Sequence, residues 1–133
     1  MNKIERFEDI IAWQKARALT KEVYTVTKIG PFLKDFGLKD QIQRSSVSTM
    51  ANIAEGFERG GDKEFIQFLS NSKGSCGEVR SHLYVALDQE YITQDKFDHL
   101  YASSVEVSRL ISGFMTYLQR SQIGGHKFKR AGL

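Results

Sequence analysis

The sequence predicts an all-α protein, an antiparallel up-down-up-down four-helix bundle. Three observations predict it. Apolar residues recur at steps of three and four through four long segments, the period of helices packed on one face. The links after the second and third segments are too short for anything but antiparallel neighbours. A single proline in 133 residues leaves the long segments unbroken, and no alternating pattern competes for strands. Segments of this length span roughly 30–40 Å at about 1.5 Å per residue.

A chain of 133 residues reads as one domain, long enough to bury a core without staples. Its 41% hydrophobic and 26% charged residues are ordinary for a globular protein. The lone Cys76 has no partner for an internal disulfide, which points to a reducing compartment. Residues Met1 to Asp9 are mostly polar and carry no leader pattern, and no apolar run reaches membrane-span length. The expected location is the cytoplasm. The bundle is expected over 1–122, with helices at about 8–28, 38–59, 63–89 and 94–120, and a flexible basic tail over 123–133.

The first helix is justified by Ala12, Ala16, Leu19, Val23 and Val26, which share one face. Glu8 and Asp9 suit the positive end of its dipole. Phe7, Ile10 and Trp13 cannot all join that seam, so they are candidates for an oligomer interface. Gly30 and Pro31 stop the helix. The connection from Pro31 to Gly37 holds Phe32, Leu33 and Phe36, which should fold back and cap one end.

The second helix, Leu38 to Arg59, has small residues in its middle and a stripe of Gln41, Arg44, Ser48, Asn52 and Glu55. The stripe reads as a buried or interfacial hydrogen-bond network that fixes register; a polar ligand site is the competing reading. Arg44, Asn52 and Glu55 are accordingly expected to be largely buried. Gly60-Gly61 ends this helix, and Asp62 is the expected N-cap of the third. There Phe65, Leu69, Ser72, Cys76, Val79, Leu83 and Ala86 form a seven-residue repeat. A hairpin turning near Gly61 pairs positions whose numbers sum to about 122, placing Ser48 opposite Gly74 and Ser45 opposite Gly77. Glycine at 74 and 77 costs about 1 kcal/mol each relative to alanine. Either a close helix approach offsets that cost, or the third helix is locally weak. Thr93 caps the fourth helix, whose face is Phe97, Leu100, Ser104, Val107, Ile111, Phe114 and Leu118.

Charge is unevenly spread. The residues from Arg120 onward hold four bases and no acid, so a net charge of +3 leaves residues 1–119 at −1. The basic character belongs to the tail, where Arg120, Lys127, Phe128, Lys129 and Arg130 interleave bases with an aromatic and are the nucleic-acid contact candidates. The nearly neutral body weighs against a broad basic face.

Candidate chemistry is sparse. A di-iron bundle site needs Glu-x-x-His on two helices; Glu78 with His82 and Asp95 with His99 are each four apart, so no metal is expected. His82 and His99 read as surface or boundary residues. Cys76 sits on the seam without a histidine at three or four positions, so it reads as a small buried hydrophobe. Gly60-Gly61 lacks the lysine of a phosphate loop. No catalytic residue and no cofactor is expected.

Three segments carry a resemblance: FEDIIAWQKAR (Phe7–Arg17), GLKDQIQRSSVSTMANIAEGFER (Gly37–Arg59) and KEFIQFLSNSKGSCGEV (Lys63–Val79). Together they resemble the four-helix-bundle proteins encoded in intervening sequences of bacterial large-subunit (23S) ribosomal RNA genes. Asn52-Ile53-Ala54-Glu55-Gly56 is the most specific piece, joined by Trp13 and Lys63-Glu64-Phe65. Ser48-Thr49-Met50 departs from the Ser-Ile-Pro common there, which should leave the second helix straighter; Gly77-Glu78-Val79-Arg80 is also less typical. The resemblance implies a protomer that assembles as a ring, usually a homopentamer. It also implies kinship with accessory proteins of the reverse transcriptases of diversity-generating retroelements. The expected function is a non-enzymatic oligomeric adaptor contacting RNA or a nucleic-acid-bound partner such as a reverse transcriptase. The alternative is a protein-only ring.

Overall fold

The computed structural model describes residues 3–123. Among the described residues there are five helices and no strand: α1 (Ile11–Thr27), α2 (Gly30–Lys34), α3 (Phe36–Glu58), α4 (Asp62–Asp88) and α5 (Gln94–Ile123).

The first helix starts later than expected. Phe7–Asp9 form a separate 3-10 turn because the Asp9 carboxylate turns back and accepts from the backbone N–H groups of Glu5 and Arg6 at 3.0 and 3.2 Å. Asp9 therefore caps the turn and not α1. Extended backbone at Ile10 separates the two.

The connection after α1 is also more ordered than expected. Gly30 takes φ +61°, which only glycine adopts without strain, and Pro31 in the first turn seeds the five-residue α2. Phe32 is fully buried and stacks on Tyr91 at 5.2 Å, so it does cap that end. Leu33 and Phe36 do not; both are exposed. Asp35 explains why α3 begins at Phe36. One carboxylate oxygen caps the N–H of Leu38 at 3.1 Å, and the other accepts from the Tyr91 hydroxyl at 2.9 Å.

At the next turn Gly60 takes φ +90°, and Gly61, not Asp62, is the N-cap of α4; Asp62 is already inside the first turn. Thr93 caps α5 as expected, its hydroxyl accepting from Lys96 N–H at 3.1 Å.

The core follows the seams. All seven repeat positions of α4 are buried, as are Ala12, Ala16, Leu19, Val23 and Val26 of α1. On α5, Phe97, Leu100, Ser104, Val107, Ile111 and Leu118 are buried and Phe114 packs partly against them. α1 packs on α3 and α5, and α4 packs on the same two helices. Directions follow from side-chain partners. Thr20 meets Ser46 and Thr27 meets Gln43 across α1 and α3, so the two run antiparallel. Ser48 meets Ser75, and Ser72 donates to the Thr49 carbonyl, so α3 and α4 do too. Cys76 with Ser104 and Tyr84 with Phe97 give the same sense for α4 and α5.

The α3–α4 register matches the expected hairpin within one residue, since the partner of Ser48 is Ser75 and not Gly74. The glycine argument moves elsewhere. A Cβ at Gly74 would meet nothing within 4 Å, and one at Gly77 would meet only an Arg80 nitrogen at 3.6 Å. The close approach is at Gly56, where a Cβ would lie 2.8 Å from both Cδ1 of Phe65 and Cβ of Phe68.

Candidate functional site

The antiparallel register brings one edge of α3 beside one edge of α4, and the polar stripe lies along that join. Gln41, Arg44, Ser45 and Ser48 face Glu78 and His82 around a hollow of about 250 Å³. Ser48 Oγ and Ser75 Oγ are 2.9 Å apart, and the Asn52 amide donates to the Ser48 carbonyl at 2.8 Å and to its hydroxyl at 3.0 Å. These three half-buried side chains are the connected part of the predicted network.

The charged members behave otherwise. Arg44 and Glu55 are exposed in the protomer, against the expectation of burial, and Gln41 is exposed as well. Arg44 pairs with Asp40 at 2.8 Å and Glu55 with Arg59 at 2.7 Å, each within its own helix. Four-residue spacing lets a long side chain find a partner without leaving solvent, so no second helix is recruited. The bond to Glu55 raises the pKa of Arg59 further.

Ser75 and His82 join the site from α4. The signal for Ser75 was in the sequence, because the hairpin register places it within one residue of the expected partner of Ser48; His82 lies five residues past Gly77, the expected partner of Ser45, and reaches back to it. His82 is half-buried, and burial pushes its imidazole below the usual histidine range, with Glu78 pulling weakly the other way. Ser45 Oγ lies 3.3 Å from His82 Nδ1 but 3.0 Å from the Gln41 carbonyl. The hydroxyl has one proton, and the nearer carbonyl competes for it, which is poor geometry for a histidine-activated nucleophile. The join can offer hydroxyl, amide and imidazole groups to a polar partner.

A second polar cluster sits between α4 and α5. Buried Cys76 and Ser104 contact each other at 3.2 Å, and the half-buried Arg80 donates to Ser104 Oγ at 3.1 Å. Cys76 thus fills its seam position with a hydrogen-bonded sulfur. His99 contacts Glu22 at 2.6 Å, tying α5 to α1. Among the described residues no three His, Cys, Asp or Glu side chains are grouped to hold a metal ion, and no helix is long and apolar enough to cross a membrane.

The proposed interface residues separate. Phe7 and Trp13 are half-buried and meet edge to face at 5.1 Å, with Arg17 over the indole. Ile10 is only 1% exposed and belongs to the protomer's own core, so it has no surface to give an interface. The extended backbone at Ile10 turns it inward and leaves Ile11 as the exposed apolar residue. Of the nucleic-acid candidates, Arg120 is exposed on α5; Lys127, Phe128, Lys129 and Arg130 lie outside the described residues.

The chain is similar in fold to the crystal structure of a protein of unknown function from the S23 ribosomal protein family of Bacteroides thetaiotaomicron. The TM-score is 0.73 at 24% identity, covering 78% of this chain and 97% of that one. No curated protein matches the chain. The family model of the 23S rRNA-intervening sequence proteins matches residues 8–113, which takes in α1 to α4 and most of α5. The chain therefore belongs to the 23S rRNA-intervening sequence protein family.

Proposed function

We propose that the chain is a non-enzymatic adaptor that contacts RNA, or a nucleic-acid-bound protein such as a reverse transcriptase, and works as a ring of identical subunits. In this reading each subunit is an up-down-up-down four-helix bundle, and the ring is a pentamer in a reducing cytoplasm. Membership of a family named for sequences within 23S rRNA carries the reading. The antiparallel partners of successive long helices support the bundle, and the exposed Arg17 and Lys21 of α1, with Lys28 at its C-cap, supply cations on the described surface.

RNA binding tests it. Arg120, Lys127, Lys129 and Arg130 supply at most four phosphate contacts per chain. On single strands the logarithmic salt slope is then at most about −3 for one engaged tail, at roughly 0.7 per contact. Several tails on one ring raise the effective concentration, so binding should strengthen with RNA length and be largely indifferent to sequence. Deleting residues 121–133 should remove most of it. Equal binding by the truncated chain moves the contacts to α1. No binding by either form at low salt ends the RNA reading and leaves a protein-only ring.

A further inference from the structure

Two surfaces of opposite character occupy opposite edges of the same end of the molecule. α1 packs on α3 and α5, and α4 packs on the same two, so α1–α3 and α4–α5 are opposite edges. The first edge is bridged by α2, the second by the turn that contains Glu90.

On the α2 edge three apolar side chains face solvent: Ile29 at 67% exposure, Phe36 at 71%, and Leu33. Lys28, Lys34 and Lys39 surround them in sequence, and Lys39 Nζ lies 5.0 Å from the centre of the Phe36 ring. None of these lysines has an ion-pair partner among the described residues. The nearby acids are committed: Asp35 to Leu38 and Tyr91, Asp40 to Arg44. The corner is therefore apolar with an unmatched cationic rim.

The α4–α5 edge is its complement. Tyr84 is 50% exposed and leans on Phe97 and Tyr101. Asp88, Glu90 and Asp98 lie on the same edge, all exposed. Asp88 ends α4, whose last turn contains no base. A carboxylate at a helix C-terminus opposes the helix dipole, and a cation brought from outside would relieve it.

We propose that these surfaces are two halves of one interface: the lysine-rimmed corner of one copy docks on the acidic α4–α5 edge of the next. The proposal rests on the oligomeric reading above and names the surfaces that build it. Because the halves are different and lie on opposite edges, the contact is head-to-tail, the arrangement that closes into a ring when each copy is turned by a fixed fraction of a circle from the last. Desolvating Phe36, Leu33 and Ile29 supplies attraction, and the charges set register and direction.

Charge reversal tests this on the full chain, with mass read by light scattering at low and high salt and folding checked by circular dichroism. Five of the six positions are exposed and Lys39 is half-buried under its contact with Phe36, so K28E/K34E/K39E and D88K/E90K/D98K should keep their helicity. Each variant alone should fall to the single-chain mass of 15.1 kDa, because its two edges then carry like charge. Mixing the two should restore association above the single-chain mass as alternating species of even copy number, since alternation cannot close a ring of five. Phe36→Ser should weaken assembly independently of salt. If the parent assembles and either reversed variant alone keeps the parent's mass, the surfaces are wrong while the oligomer stands. Failure of the mixture to reassemble overturns the pairing. A monomeric parent overturns the oligomeric reading itself.

Discussion

At Gly56 the absence of a side chain has a physical reason. The Phe65 ring and the Phe68 Cβ occupy the space a methyl would need. Gly56→Ala should destabilise the fold by about 1–3 kcal/mol, the usual cost of overpacking. Gly74→Ala, on the exposed face of α4 with nothing nearby, should stabilise it by about 1 kcal/mol. Urea unfolding of the two variants would show opposite signs; two destabilisations would refute this placement of the close contact. Within the polar stripe, Asn52→Ala should cost about 1 kcal/mol for its bonds to Ser48. Glu55→Ala should melt with the parent, because its pair is solvent-screened. His82 adds a pH dependence. Its folded pKa is depressed, so below the unfolded value of about 6.5 the unfolded chain binds more protons. This contribution is fully present above that value and is lost as pH falls toward the folded pKa. Thermal melts in that window should show the parent losing stability that His82→Gln keeps.

At the scale of elements, α3 depends on its start. Asp35 both caps the helix and holds Tyr91 from the α4–α5 turn. Asp35→Ala should cost about 1–2 kcal/mol, as N-cap losses do, and should loosen that end first; hydrogen exchange at Leu38 unchanged from the parent would contradict it. The seams were legible because a repeat such as Phe65 to Ala86 specifies both helix and buried face. The α3–α4 register was legible from Gly60-Gly61 alone, to within a residue. The stripe was half legible. Spacing of three and four shows that Gln41, Arg44, Ser48, Asn52 and Glu55 share a side, but not that this side borders solvent. Nor does it weigh Asp40 and Arg59 as nearer partners for the charges. α2 was missed because a five-residue helix has too few turns to show a period, and Ile10 because a 3-10 turn resets the phase before α1.

At the scale of the molecule, exposed apolar groups stand beside unmatched charge at one end, while at the α3–α4 join Ser48, Ser75 and Asn52 bond to one another within the protomer. A surface of that kind is costly to leave open and favourable to cover with a like-sized complementary face. The chain carries such a face on its opposite edge, so assembly is the simplest way to cover it. In the proposed reading RNA binding would come from repetition, since a few cations per copy become useful when several copies track one strand. Everything in this account rests on the subunit not acting alone. The most direct test is the mass of the full chain by light scattering at micromolar concentration in reducing buffer. The account predicts a single species of five times the chain mass of 15.1 kDa. A stable species at 15.1 kDa would contradict it.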